Sequence, residues 1–129
     1  MGLIINFIRN RAIKKYIKKL PYLLANDYGK SDVYTPRQVK KTIERYGLNV
    51  TYVGFGMAMF SDREAFDQYH QEIGELCSYD EIRSEIAGNH FHGDSEFGIL
   101  DIVKVSSEYG GGFDTVSSGG NGGGDSPPY

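Results

Sequence analysis

The first twenty residues carry a hydrophobic pattern typical of an amphipathic helix. Apolar residues recur at steps of three and four along residues 3–20, which places them on one side of a helix. This apolar stripe comprises Ile5, Ile8, Ala12, Ile13, Tyr16, Ile17 and Leu20, while Arg11, Lys14, Lys15, Lys18 and Lys19 lie largely on the other side. Pro21 lacks an amide hydrogen and clashes with the preceding turn, so we expect it to end or kink this helix. A short second helix is then predicted from Pro21 to Gly29.

Three capping boxes predict the starts of three further helices. In each, a hydroxyl residue is followed three positions later by Gln or Glu, which allows reciprocal hydrogen bonds at the helix start. The three pairs are Thr35 with Gln38, Ser61 with Glu64, and Ser78 with Glu81. Pro36 at the first helical position strengthens the first box, and Gly47 is expected to close that helix. The predicted helices span residues 36–46, 62–75 and 79–87.

Two other stretches fit more than one type of secondary structure. Residues 49–60 are apolar on all sides, and Gly54 and Gly56 each cost a helix roughly 1 kcal/mol relative to Ala. We nevertheless predict a buried helix over 50–60, because a single strand has no partner to pair with. Residues 95–104 are predicted as a short final helix. The predicted fold class is therefore all-α, a small helical bundle, and the alternative is an α+β fold with a strand near residues 50–60.

These helices predict one domain over residues 1–104, followed by a tail over residues 105–129. Residues 109–129 contain eight Gly and two Pro, so they cannot offset their ordering entropy by apolar burial, and we expect an acidic, disordered tail. The predicted core consists of Ile8, Ile13, Ile17, Leu20, Leu24, Val39, Ile43, Phe55, Met59, Phe60, Phe66, Tyr69, Ile73, Ile82 and Ile86.

The formal net charge of −3 conceals opposite charges on the two halves of the chain. Residues 1–49 carry 11 basic and three acidic residues, a net charge of +8, whereas residues 50–129 carry three basic and 14 acidic residues, a net charge of −11. Such a charge distribution can attract an anionic surface, be neutralised within the fold, or pair two copies head to tail.

No common catalytic or nucleotide-binding motif occurs in the sequence, so we predict neither an enzyme nor a cofactor or small-molecule substrate. His90, His92 and Asp94, with Glu96 nearby, are the best-placed candidates for a divalent metal, because two histidines two residues apart point the same way in an extended chain. A polar loop after a helix that ends near Gly88 is the preferred interpretation, so no metal site is predicted.

His70 and Cys77 are also given structural interpretations. His70 is expected on a solvated helix face, and Cys77 is expected to be a small buried hydrophobe. A four-ligand zinc site would need both of them to join the later histidines from other helices. As Cys77 is the only cysteine, an internal disulfide is excluded. The apolar run Leu3–Ile8 is too short for a signal peptide, and no stretch approaches the ~20 apolar residues of a membrane span, so a cytoplasmic protein is predicted.

The charge pattern supports two functional hypotheses. The first is a non-catalytic protein-interaction module whose oppositely charged halves bind a protein partner or another copy of the chain. The alternative is a peripheral binder of an anionic membrane or nucleic acid through residues 1–20, and its surface-binding residues would be Arg9, Arg11, Lys14, Lys15, Lys18 and Lys19. We rank a purely structural interpretation above this alternative: the apolar stripe packs into the core, and the basic face meets the acidic helices at 62–75 and 79–87.

Several short stretches in the middle of the chain form a characteristic set. They are Tyr34-Thr35-Pro36, Gln38-Val39, Ala58-Met59-Phe60, Phe66 and Tyr79-Asp80-Glu81-Ile82-Arg83, together with the Gly-rich acidic end. With this set, residues 30–90 resemble a bacterial family of small proteins of unknown function. The resemblance implies a bacterial, non-secreted protein and brings no activity or site residues.

Overall fold

Six helices and no strand occur in the part of the chain that the computed structural model describes, which is residues 2–112, with side chains from residue 6 onward. The helices are α1 (Gly2–Tyr28), α2 (Pro36–Arg45), α3 (Val53–Phe60), α4 (Arg63–Ile73), α5 (Tyr79–His90) and α6 (Ile99–Glu108). The all-α prediction is confirmed. The alternative with a strand near residues 50–60 is wrong, because Val53–Phe60 form a helix that packs against α2 and α5.

Helix α1 continues through Pro21, so the prediction that it ends there is wrong. A proline inside a helix costs roughly 3 kcal/mol. Leu20, Leu23 and Leu24 lie on both sides of it and are fully buried, and their burial outweighs that cost. The helix ends before Gly29, as predicted, where the backbone turns to a φ of +87° and the Gly29 amide donates to the Ala25 carbonyl at 2.8 Å.

Of the three predicted capping boxes, the one at Thr35 forms in full, and at Ser78 only the cap itself forms, without the return bond from the Glu81 side chain. Thr35 and Gln38 exchange both expected hydrogen bonds, and Ser78 accepts from the Glu81 amide at 3.2 Å. The box at Ser61 is wrong, because Asp62 caps α4 by accepting from the Ala65 amide at 2.8 Å. Ser61 instead ends α3 and is buried.

Helices α5 and α6 both extend beyond their predicted ends. Helix α5 continues past Gly88 to His90, and Phe91 then stacks on Phe97 with ring centroids 4.2 Å apart. The final helix spans 99–108 rather than 95–104, since the Arg83 guanidinium binds the carbonyls of Ser95 and Phe97 and holds that stretch outside the helix.

Helix α3 packs against α1, α2, α4 and α5, and α1 packs against α2, α3 and, most extensively, α6. Most of the predicted core is buried, but Ile8 and Ile73 are 45% and 42% exposed, and Phe55 and Ile82 are only partly buried. Ile8 lies near the outer end of α1 and Ile73 is the last residue of α4, so fewer neighbouring helices cover them. The core also includes residues that were not predicted: Ala12, Tyr16, Leu23, Tyr34, Met57, Ala58, Ala87, Phe91, Phe97 and Ile102.

The packed part of the chain extends beyond the predicted domain end at residue 104. Helix α6 reaches Glu108, Ser106 is fully buried, and the Ser106 hydroxyl donates to the Lys18 carbonyl at 3.1 Å. Gly111 approaches α1 so closely that a Cβ there would lie 2.5 Å from the Lys18 carbonyl oxygen, which excludes any larger residue. The remainder of the predicted disordered tail, from residue 113 onward, lies outside the described residues.

Candidate functional site

The predicted surface-binding residues of α1 fall into two groups. Arg9 is used within the fold, because its guanidinium lies 2.6 Å from the Glu85 carboxylate on α5. Arg11 is exposed beside the Phe7 ring, and the Lys14 ammonium lies 5.0 Å from the centre of the Tyr109 ring. The other three basic residues, Lys15, Lys18 and Lys19, lie together on the surface of α1, and we name them the lysine cluster.

The lysine cluster is electrostatically uncompensated. Partial burial lowers the pKa of Lys19, and the positive charges of Lys15 and Lys18 lower it further. Between residues 6 and 112, no carboxylate lies within 4.0 Å of any of the three ammonium groups. Like charges held this close without a counterion favour the binding of an anion.

A small cavity lies beside the lysine cluster. Its volume is about 230 Å³, and its walls are Lys15, Lys19 and Leu23 of α1 and the turn Tyr46–Leu48 that follows α2. The cavity can receive a carboxylate or phosphate group between two ammonium groups one helical turn apart.

The nearest acid of α1 does not neutralise the lysines, because its carboxylate is turned into the core. The Asp27 side chain is 3% exposed and pairs with Arg45 at 3.1 Å. It also accepts hydrogen bonds from the Thr42 hydroxyl at 2.7 Å and the Tyr46 hydroxyl at 3.0 Å. This network ties α1 to α2.

The basic face of α1 was expected to meet the acidic helices, and within the described residues only one such ion pair forms, between Arg9 and Glu85 on α5. A second pair to an acidic helix, Arg37 with Glu72 of α4 at 3.0 Å, comes from α2 and was not predicted. The lysine cluster takes no part in either pair. Internal neutralisation therefore accounts for Arg9, while the three lysines remain at the surface.

His90, His92 and Asp94 serve separate local roles. His90 lies at the end of α5, half-buried, with Nδ1 2.6 Å from the Tyr109 hydroxyl oxygen. Its pKa is lowered by burial and, to a lesser degree, by Lys14. His92 is exposed in a left-handed conformation with φ +56°, and the Asp94 carboxylate accepts from the Glu96 amide at 3.0 Å. These three candidates do not form a three-ligand group in the described region.

The structure does bring together a different set of ligand atoms, from His70, Glu75 and Cys77. Both sequence interpretations are wrong here, since His70 is buried, at 5% exposure, and Cys77 is exposed. Partial desolvation and, to a lesser degree, the nearby Glu75 charge raise the pKa of the Cys77 thiol. The sequence contains one signal for this arrangement: Gly74, which can reverse the chain after α4, lies between the histidine and the other two residues.

The fold and the lysine cluster together define a small all-α protein with a positively charged surface on its longest helix. None of the helices described combines the length and the hydropathy that crossing a lipid bilayer requires. The chain belongs to a family of unknown function, DUF6559, which it matches over residues 4–127. The predicted resemblance to an uncharacterised family is thereby confirmed, over a longer stretch than residues 30–90; bacterial origin and a cytoplasmic location stay predictions. No curated protein and no solved structure matches the chain.

Proposed function

We propose that this protein is a non-catalytic interaction module that binds an acidic protein surface through the lysine cluster. The observation that carries the proposal is the position of Lys15, Lys18 and Lys19 within about one turn of α1, with no carboxylate within 4.0 Å in the described region. Beside partial burial, repulsion from Lys15 and Lys18 lowers the pKa of Lys19. An acidic partner relieves this repulsion on binding, and the same positive field accelerates its approach.

A second copy of the chain is one partner of suitable charge. Glu64 and Asp67 on α4 and Glu81 on α5 are exposed, and no basic side chain of the described residues lies within 4.0 Å of them. These helices and the lysine cluster belong to different elements of the bundle, so one copy can present acids to the lysines of the next. An interaction of this kind weakens as salt screens the charges.

A charge-reversal experiment tests the proposal. The probe is a labelled poly-glutamate peptide, followed by fluorescence anisotropy at low and high salt, with light scattering to measure self-association. We expect wild-type protein to bind at low salt and Lys15→Glu with Lys19→Glu to abolish binding. The matched control is Lys30→Glu with Lys104→Glu, which changes the net charge equally at two exposed positions outside the cluster.

Two results contradict the proposal. Equal loss of binding in both double variants shows that only net charge matters. The proposal is also contradicted if the wild-type protein is monomeric and does not bind the peptide at any salt concentration. Circular dichroism of each variant establishes that the helices are retained.

A peripheral membrane role is a second candidate, favoured by the outer end of α1. Phe7 is 63% exposed and Ile8 is 45% exposed, and the exposed Arg11 lies one helical turn further on, beside the Phe7 ring. Exposed apolar side chains beside an exposed arginine suit the interface of an anionic membrane, where each basic residue contributes ~1 kcal/mol. The stripe residues from Ala12 to Leu20 cannot take part, because they are buried.

Co-sedimentation with vesicles containing phosphatidylserine, beside a duplex DNA shift assay, separates this second candidate from the first. We expect vesicle binding to fall in Phe7→Ser with Ile8→Ser if the membrane role is correct. The membrane role is contradicted if this variant still binds the vesicles as the wild type does. It is also contradicted if the wild type binds duplex DNA as strongly as it binds the vesicles.

A further inference from the structure

The chain reverses direction at the end of α4 and brings three metal-ligating side chains together. Gly74 adopts a left-handed conformation with φ +74°, and the Glu75 amide donates to the His70 carbonyl at 2.9 Å. This turn folds the following loop back over the last turn of the helix. As a result, a ring nitrogen of His70, a carboxylate oxygen of Glu75 and the sulfur of Cys77 all lie within 4.8 Å of one another.

The His70 ring makes the hydrogen bond to a backbone carbonyl that metal-binding histidines often have. Its Nδ1 lies 2.9 Å from the Phe66 carbonyl oxygen, which can only accept, so Nδ1 carries the hydrogen. The lone pair of the neutral ring is therefore on Nε2. The ring packs against Phe66 at 4.2 Å and Tyr69 at 5.2 Å between ring centroids, which restricts its rotation. A backbone carbonyl that fixes the second ring nitrogen is a common outer-shell partner of a metal-bound histidine.

From this arrangement we propose that His70, Glu75 and Cys77 form a zinc site. Imidazole, carboxylate and thiolate are all zinc ligands, and the thiolate discriminates against Mg²⁺ and Ca²⁺, which prefer oxygen. With zinc–ligand bonds of about 2.0–2.3 Å, neighbouring ligand atoms of a tetrahedral site are roughly 3.5 Å apart. Binding of zinc requires the ligand atoms to approach from the present spacing to that value, and Glu75 and Cys77 are exposed on the loop, where their side chains have room to rotate.

The site opens into a cavity that leaves room for a further ligand. The cavity has a volume of about 470 Å³, and its walls include His70, Glu75 and Cys77 together with Tyr52 and Phe55. Three protein ligands leave the fourth zinc position to water or to a small donor molecule that enters through this cavity. The site lies at the end of α4 and the lysine cluster lies on α1, so the inference does not depend on the proposed function.

Metal titration of the full-length, metal-free protein tests the site. Zn²⁺ binding is measured by competition with a chromophoric chelator, and Co²⁺ is added in parallel because its absorption reports tetrahedral geometry and thiolate ligation. Cys77→Ser and Glu75→Gln change exposed side chains and should leave the fold intact. Two matched controls accompany them: Glu64→Gln, at an exposed glutamate on α4, and His92→Gln, at the exposed histidine.

We expect one Zn²⁺ per wild-type chain and a thiolate absorption band with Co²⁺. Cys77→Ser should abolish that band and weaken Zn²⁺ binding by more than the roughly 10- to 100-fold that loss of an outer-shell partner costs. Glu75→Gln should weaken binding, and both controls should bind as wild type does. The site is refuted if the wild type binds no Zn²⁺, if Cys77→Ser binds it equally well, or if His92→Gln loses it.

Discussion

Arg83 and the lysine cluster are both sites of positive charge, but their surroundings are opposite. Arg83 is 8% exposed, and its guanidinium donates to the carbonyls of Ala58, Ser95 and Phe97. It also lies 3.8 Å from the centre of the Phe97 ring. The lysine cluster remains on the surface with no comparable acceptors. The single arginine therefore stabilises the fold, whereas the three lysines form no hydrogen bond or ion pair through their side chains in the described region.

Of the substitutions that test this comparison, the removal of Arg83 should have the largest effect on folding stability. Arg83→Met leaves three neutral carbonyls without their donor at a buried position, and each buried acceptor left unsatisfied costs about 1–3 kcal/mol, which makes about 3 kcal/mol or more for the three together. We expect a decrease of that size in the free energy of unfolding, measured by urea denaturation. The control is Arg63→Met, since Arg63 is exposed and paired with the exposed Asp80, and it should change stability little. Similar losses from both variants would show that burial is not what distinguishes Arg83.

An intermediate effect is expected at His90, where burial and the Lys14 charge lower the pKa from its ordinary value of 6.5. The unfolded chain therefore binds a proton more readily than the folded one, so folding stability is fully present above pH 6.5 and decreases as the pH falls below it. We expect the wild type to lose more stability than His90→Asn between about pH 7 and pH 5. Parallel urea denaturation at several pH values measures this difference. Identical pH dependence in the two proteins would contradict the prediction.

The smallest effect on folding stability is expected for a substitution in the lysine cluster. Any change there should be a gain, whereas Arg83→Met should cause a loss. Lys15→Gln removes repulsion from Lys19, so it should leave stability unchanged or raise it by ~0.5 kcal/mol or less at low salt. High salt should remove any gain, because it screens the repulsion in the wild type. Thermal denaturation at both salt concentrations provides the measurement. A clear loss of stability in Lys15→Gln would mean that the lysine supports the fold.

The helices could be predicted because their signals are local. The apolar stripe of α1, the capping box at Thr35 and the cap at Ser78 all depend on neighbours within one or two turns. The errors occur where distant contacts override such signals. Leucine packing carries α1 through Pro21, and Arg83 fixes the residues before α6 from another helix.

Which basic residues stay unpaired at the surface could be predicted from the sequence only in part. The pattern placed Lys15, Lys18 and Lys19 opposite the apolar stripe, and the structure keeps them together at the surface. The same pattern gave Arg9 a binding role, although it pairs with Glu85 from a helix far along the chain. Which basic residue finds an acid depends on tertiary packing, which no local pattern encodes.

The positions of His70 and Cys77 were not predictable from spacing alone. The exposure of a residue near a helix end depends on the direction of the following loop. Here the chain reverses at the left-handed turn of Gly74, so that Cys77 is exposed on the loop and His70 is buried.

The pairing of α1 with α6 determines the order in which the protein can complete its fold. Ser106 and Lys18, which share a hydrogen bond, are 88 residues apart, so this contact closes a very long loop. On the ribosome, α1 is made first and its main partner last. The side of α1 that packs against α6 therefore remains uncovered until α6 emerges, whereas α2 and α3 can cover their own side of α1 earlier.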